Sequence, residues 1–104
     1  MSEHEIQNSI RLKLSEMGYC VFRVNVGKFQ LKDGRWFDTG LPKGFTDLIA
    51  IKDGKISFIE VKNETGKPSK EQLNFIGQMK SRYGCNAGIA RSPEEAVNIV
   101  TGRT

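Results

Sequence analysis

The stretch "TDLIAIKDGKISFIEVK", Thr46–Lys62, decides how this chain is read. Two apolar, β-branched runs flank Asp53-Gly54, the dipeptide that most favours a two-residue type I′ turn. With that turn, Lys52 pairs with Lys55 and, counting outward, Asp47 stands opposite Glu60. Directly opposed side chains have Cβ atoms about 5 Å apart, and like charges there repel. In a partly buried site the penalty is on the order of a few kcal/mol. "LIAI" and "FIEV" read as central strands, so Glu60 lies within apolar sequence rather than at a frayed edge. A sequence built for stability alone avoids such a pair, whereas a divalent cation between the two acids reverses the sign of the effect.

Glu60 and Lys62 are two apart and share a strand face, with Ile59 and Val61 on the other. Two acids and a lysine together suit metal-assisted phosphodiester cleavage. Carboxylates hold a hard cation through oxygen, the cation polarises phosphate and acidifies a bound water, and lysine orients that water or offsets developing charge. The plainer reading of the same residues is a surface hairpin with a Glu-x-Lys ion pair and an aspartate that starts a strand. A register slip of one residue would put Asp47 and Glu60 on opposite faces and remove the metal argument.

Working outward, "SEHEIQNSIRLKLSEMG" has Ile6, Ile10, Leu14 and Met17 at helical spacing, Ser2 and Glu5 at capping-box spacing, and Gly18 as its stop. Glu3 adjoins the apolar face of this helix, while Glu5 aligns with the solvent stripe of Ser9, Lys13 and Glu16. Glu3 is therefore the preferred third acid of the site, its alternative being a favourable charge in a first helical turn. "YCVFRVNV" is a strand running up to Gly27. Residues 27–44 are an irregular loop with four glycines and a short hairpin expected around Asp33-Gly34. Its Lys28, Lys32, Arg35 and Lys43 suit backbone phosphates. Its Phe29, Trp36 and Phe37 leave three uses open: stacking on exposed bases, a dimer contact, or a solvated hairpin packed by Trp36.

After the opening stretch, "NETGKP" is a turn. "SKEQLNFIGQMKSRYG" is a helix with Leu73, Ile76 and Met79 at helical spacing, Ser69 and Gln72 as a capping box, and Gly84 as its stop. Gln72 has two compatible readings, as a cap and as a helix-start amide, close after the Glu60–Lys62 strand, that contacts a DNA phosphate or a metal-bound water. "CNAGIAR" is a strand. "SPEEAVNIV" is a helix with Ser92 as cap, Pro93 in the first turn and Glu95 completing the box. The order is α-β-β-β-α-β-α, an α/β fold with a mixed central sheet flanked by helices. One domain is expected over 1–104.

Composition narrows the class. The chain has 104 residues, 38% of them hydrophobic, with a net charge of +4 and a pI near 9.2, which permits a polyanionic partner. No apolar run approaches the ~20 residues of a membrane span, and "MSEHEIQNSI" is acidic and amphipathic, unlike a secretory signal, so a cytoplasmic protein is expected. Cys20 and Cys85 read as buried free thiols and His4 as a surface residue. "TGKPSKEQ" lacks the earlier glycine of a phosphate loop, since position 61 is Val, so no nucleotide cofactor is expected.

The order of elements with D…E-x-K on a hairpin resembles the PD-(D/E)xK, or restriction-endonuclease-like, superfamily. More specifically the chain is similar to the VRR-NUC family. The matching stretches are "E-x-x-I-Q" at Glu3–Gln7, "FRVNVG" at Phe22–Gly27, "GLPKGFTDLI" at Gly40–Ile49, "IEVK" at Ile59–Lys62, "GKPSKEQ" at Gly66–Gln72 and "ARSPEEAV" near the end. The resemblance covers nearly the whole chain and departs from the family pattern at Thr46, which replaces a proline that is often absent and does no chemistry, and at Lys43-Gly44, where the pattern has a more compact glycine turn. It implies a Mg²⁺- or Mn²⁺-dependent nuclease. Asp47 and Glu60 would bind metal with the Val61 carbonyl, Lys62 would serve the attacking water or the transition state, and Glu3 and Gln72 would complete the site. Stand-alone members of the phage and mobile-element type resemble Holliday-junction resolvases. That implies a homodimer acting on branched DNA in a bacterial or phage-infected cell, with Lys67 and Lys70 joining the basic loop residues on phosphate. The alternatives are a flap- or end-directed nuclease, a catalytically silent DNA-binding module of the same fold, and a small structural protein whose charge serves solubility.

Overall fold

A computed structural model describes residues 1–103. The nine elements are α1 (Glu3–Glu16), β1 (Cys20–Arg23), β2 (Lys28–Gln30), β3 (Trp36–Asp38), β4 (Leu48–Lys52), β5 (Lys55–Val61), α2 (Lys70–Ser81), β6 (Asn86–Ala90) and α3 (Pro93–Val100). The main sheet runs β1-β4-β5-β6. The first three strands are antiparallel and β6 is parallel to β5, so the sheet is mixed, and β4 and β5 are its central strands. β2 and β3 are the hairpin expected in the 27–44 loop and form a separate two-stranded sheet. Among the described residues no helix is long and apolar enough to cross a membrane.

The hairpin register is the one Asp53-Gly54 predicts. Asp53 has φ +52° and Gly54 φ +75°, the two positive values a type I′ turn needs, and Lys52 pairs with Lys55, Leu48 with Ile59. One sheet face carries Leu48, Ala50, Ile59 and Val61. It packs under α1 through Ile6, Ile10 and Leu14, and under α3 through Ala96, Ile99 and Val100. Burying a side chain of this size contributes about 1.5–3 kcal/mol, so these residues supply most of the driving force. The other face carries Phe58 and Glu60 and meets α2. There Phe45, Phe58 and Phe75 form an aromatic cluster with centroids 4.6–5.8 Å apart.

Local signals set the helix ends. Ser2 with Glu5 and Ser69 with Gln72 form complete capping boxes, and Met17 and Gly18, the latter at φ +91°, end α1. Three expectations need correction. Glu95 does not complete a box with Ser92, because its Oε1 accepts from the Arg91 N–H at 2.6 Å and the cap is one-sided. Leu73 is exposed, because α2 turns Gln72, Phe75 and Ile76 inward instead. The cysteines are free but not buried, since edge strand β1 leaves Cys20 exposed and Cys85 is half-buried. His4 is on the surface and shares a hydrogen bond with Asn8.

Candidate active site

The site forms where β4, β5 and the start of α2 meet. Asp47 immediately precedes β4, and its carbonyl accepts from the Val24 N–H at 2.8 Å, which continues the β1–β4 pairing by one step. Its carboxylate crosses to β5 and accepts from the Val61 N–H at 2.9 Å. Opposite it on β5, Glu60 is only 2% exposed, because the aromatic cluster and α2 cover its strand face.

Glu60 Oε2 accepts from Gln72 Nε2 at 2.8 Å and lies 3.3 Å from Lys62 Nζ. Lys62 is itself largely buried, at 14% side-chain exposure, so this ion pair is shielded in a way that an exposed surface pair is not. Gln72 is the expected cap, its Oε1 accepting from the Ser69 N–H at 2.8 Å, and its amide nitrogen donates to Glu60, a contact not expected from the sequence. Burial first, and then the nearby Asp47 charge, push the Glu60 carboxyl up to about 7, against the partial relief from Lys62. Glu60 Oε1 is buried and has no hydrogen-bond partner among the described residues.

An orphaned buried carboxylate oxygen beside a second carboxylate is an arrangement that could hold a cation. Leaving such an oxygen unpaired costs about 1–3 kcal/mol or more, and a bound cation removes that cost. The donors are all oxygen, which suits a hard divalent ion that keeps several of its own waters. Among the described residues no group of three His, Cys, Asp or Glu side chains converges, so the acids of the site are the two opposed ones.

Glu3 stands elsewhere. It is exposed, and its Oε2 approaches Gly66: a Cβ at that glycine would lie 2.8 Å from Glu3 Oε2, 3.1 Å from Asn63 Oδ1 and 3.3 Å from Lys62 Cδ. The first turn of α1 thus reaches the Lys62 side of the site and not the opposed acids. The basic residues lie on the surface. Lys28, Lys32, Lys67 and Lys70 have no ion-pair partner among the described residues, while Arg35 pairs with Asp33 at 2.7 Å and Lys43 with Glu71 at 3.5 Å.

No family profile and no curated protein matches the chain. A solved structure described as a VRR_NUC domain matches it with a TM-score of 0.68 and 23% identity, over 98% of this chain and 97% of that one. This chain shares the VRR_NUC fold.

Within that VRR_NUC fold, several residues have parts that the sequence reading did not assign to them. Gln7, one turn beyond Glu3, carries the other buried side-chain oxygen without a partner among the described residues. The helical spacing Glu3–Gln7–Ile10 was the available signal. Arg91, just after β6, donates Nη1 to the carbonyls of Asn63 (2.5 Å) and Gly66 (2.7 Å), and so pins the turn that follows Lys62. Asn63 Oδ1 closes the same turn by accepting from the Thr65 and Gly66 amides at 3.2 and 2.7 Å. Gly44, at φ +94°, lies against the Glu71 carbonyl, where a Cβ would overlap it. That close approach seats the start of α2, and hence Gln72, over Glu60. The sequence marked Lys43-Gly44 only as a departure, since a contact between distant segments leaves no local pattern.

Proposed function

We propose that this chain is a divalent-metal-dependent endonuclease of the VRR-NUC type that hydrolyses phosphodiester bonds in branched DNA. The observation that carries the reading is the opposed Asp47–Glu60 pair with Lys62 Nζ 3.3 Å from Glu60 Oε2, set in the VRR_NUC fold. Asp47, Glu60 and the Val61 carbonyl would hold Mg²⁺ or Mn²⁺. When bound, the ion would supply Lewis acidity toward phosphate and a more acidic water.

The chain's own groups divide the remaining work. The Val61 amide and Gln72 fix the two carboxylates before any substrate arrives, so little reorganisation remains on binding. Lys62, shielded from water, presents a positive charge where negative charge develops on the cleaved phosphate. The turn pinned by Arg91 limits where Lys62 can go. Glu3, on the Lys62 side, serves to position water or lysine rather than to bind the ion. Lys28, Lys32, Arg35, Lys43, Lys67 and Lys70 contact backbone phosphate, which gives salt-sensitive binding without base readout.

Backbone contacts carry no base sequence, so on this reading selectivity rests on DNA shape. A homodimer would set two such sites on two strands of a four-way junction. The setting that goes with this reading is the cytoplasm of a bacterial or phage-infected cell. The test is cleavage of end-labelled four-way junction, flap and blunt duplex by wild type and Glu60→Ala, with Mg²⁺, with Mn²⁺ and with EDTA. Paired, metal-dependent nicks in opposing junction strands, absent from the variant, are expected. Cleavage confined to flaps or ends would replace the resolvase by a flap- or end-directed nuclease. Salt-sensitive junction binding without cleavage under either metal would leave a silent binding module.

A further inference from the structure

The β2–β3 hairpin is not explained by the fold. β2 and β3 pack on each other and at most marginally on any other element. A two-stranded hairpin is marginally stable at best in water, so its apolar side chains are expected to be covered by something. Among the described residues nothing covers them more than about halfway. Phe29 and Phe37 are directly opposed on one hairpin face and are 43% and 52% exposed, and Leu31 continues that face at 42%. Trp36, paired with Gln30 on the other face, is 67% exposed. The hairpin is a thin blade with rings on both sides.

Two observations identify the occupant. Charge is one. The segment Cys20–Phe45 holds five basic residues against two acids, so most of the net charge of +4 lies within 26 residues. Size is the other. Aromatic side chains bury about 150–250 Å² each, so the half-exposed Phe29–Phe37–Leu31 face offers roughly 200–300 Å². A stable protein interface needs about 800 Å² per partner. The face is too small to be a dimer contact by itself, and it matches one or two nucleobases. The blade is also rooted at the site. It is closed by the Thr39 N–H to Gly27 carbonyl bond at 3.0 Å, and Gly27 lies three residues after Val24, the residue bonded to the Asp47 carbonyl.

We propose that the β2–β3 hairpin is a wedge that enters DNA where strands part, with Phe29 and Phe37 stacking on an unpaired base on one side and Trp36 on the other. The choice of branched DNA rests on the nuclease reading, whereas base stacking does not. Lys28, Lys32 and Arg35 hold the flanking phosphates, and stacking on a π-face tolerates any base.

The test uses Trp36, which is the sole tryptophan of the chain. The full-length protein in EDTA is titrated with a ten-nucleotide oligo-dT, a four-way junction and a blunt duplex while Trp36 fluorescence is followed. Quenching by oligo-dT and junction but not by blunt duplex is expected. Trp36→Ala and the Phe29→Ala/Phe37→Ala pair should each weaken junction binding at least fivefold. Their thermal midpoints and the salt slope of binding should not change, whereas Lys28→Ala should lower that slope by about one. Equal quenching by duplex, or unchanged junction affinity in both ring variants, overturns the wedge. Loss of dimer in the Phe29→Ala/Phe37→Ala variant with per-protomer affinity intact overturns it in favour of a dimer contact. Quenching with no cleavage by wild type under any metal would sink the nuclease reading and leave the wedge; metal-dependent cleavage without quenching would do the reverse.

Discussion

Replacing Glu60 by glutamine is expected to stabilise the metal-free protein above neutral pH. The Glu60 carboxyl is raised from 4.5 to about 7 by burial and by Asp47. Each pKa unit corresponds to 1.36 kcal/mol, so the ionised carboxylate destabilises the fold by up to about 3 kcal/mol. Between the two values the native state binds the proton and the unfolded state does not, so stability falls as pH rises from about 4.5 through about 7. Glutamine has nearly the same shape. Its single oxygen can still accept from Gln72 and Lys62, as Glu60 Oε2 does, and its amide N–H takes the place of the orphaned Oε1. Some attraction to Lys62 is lost, so a net gain of about 1–2 kcal/mol is expected at pH 8, or roughly 5–15 °C in Tm for a domain of this size. Urea and thermal unfolding in EDTA from pH 5 to 8.5 are the assay. Wild-type stability should decline across this range, that of Glu60→Gln should stay nearly flat, and the two should converge near pH 5. A wild type that gains stability from pH 5 to 8, or a variant destabilised at pH 8, would refute the claim that Glu60 is a buried, charge-repelled acid.

Other expectations test the surrounding parts. Lys62→Ala should lower kcat for DNA cleavage by about 10²–10³, the usual loss for one group that stabilises transition-state charge, while Mn²⁺ binding measured by calorimetry persists. Arg91→Ala should cost about 2–3 kcal/mol in urea unfolding by leaving the Asn63 and Gly66 carbonyls without their charged donor, and should lower kcat more than it raises KM; Arg91→Lys should restore part of both. Gly44→Ala combines a φ of +94° with overlap against Glu71, and should destabilise by about 2–4 kcal/mol in the same assay. Gly66→Ala, at a glycine without positive φ, should leave stability within about 1 kcal/mol where the Glu3 and Lys62 side chains can move aside, and still reduce cleavage because Lys62 is displaced.

What the sequence made legible follows from what is local. Asp53-Gly54 sets the turn, the turn sets the register, and the register opposes Asp47 to Glu60, so the centre of the site could be read from seventeen residues. The Ser69–Gln72 box fixed the start of α2 and with it the amide that reaches Glu60. The rest depends on segments far apart in the chain. Helical spacing put Glu3 on the inner edge of α1 but could not say that it ends beside Gly66 and Lys62. The Arg91 hold on Asn63 and Gly66 spans more than twenty residues and has no periodic signature. Leu73 was misplaced for a related reason: spacing alone did not show that α2 would turn Gln72 and the Phe75 ring, the partner of Phe45 and Phe58, toward the sheet.

Calorimetric titration of Mn²⁺ into the metal-free protein at pH 8 tests most directly whether the opposed acids form a cation site. Saturable binding that Asp47→Asn or Glu60→Gln abolishes, with both variants folded, is expected. Absence of saturable binding to wild type, or binding that survives both substitutions, would contradict the cation site.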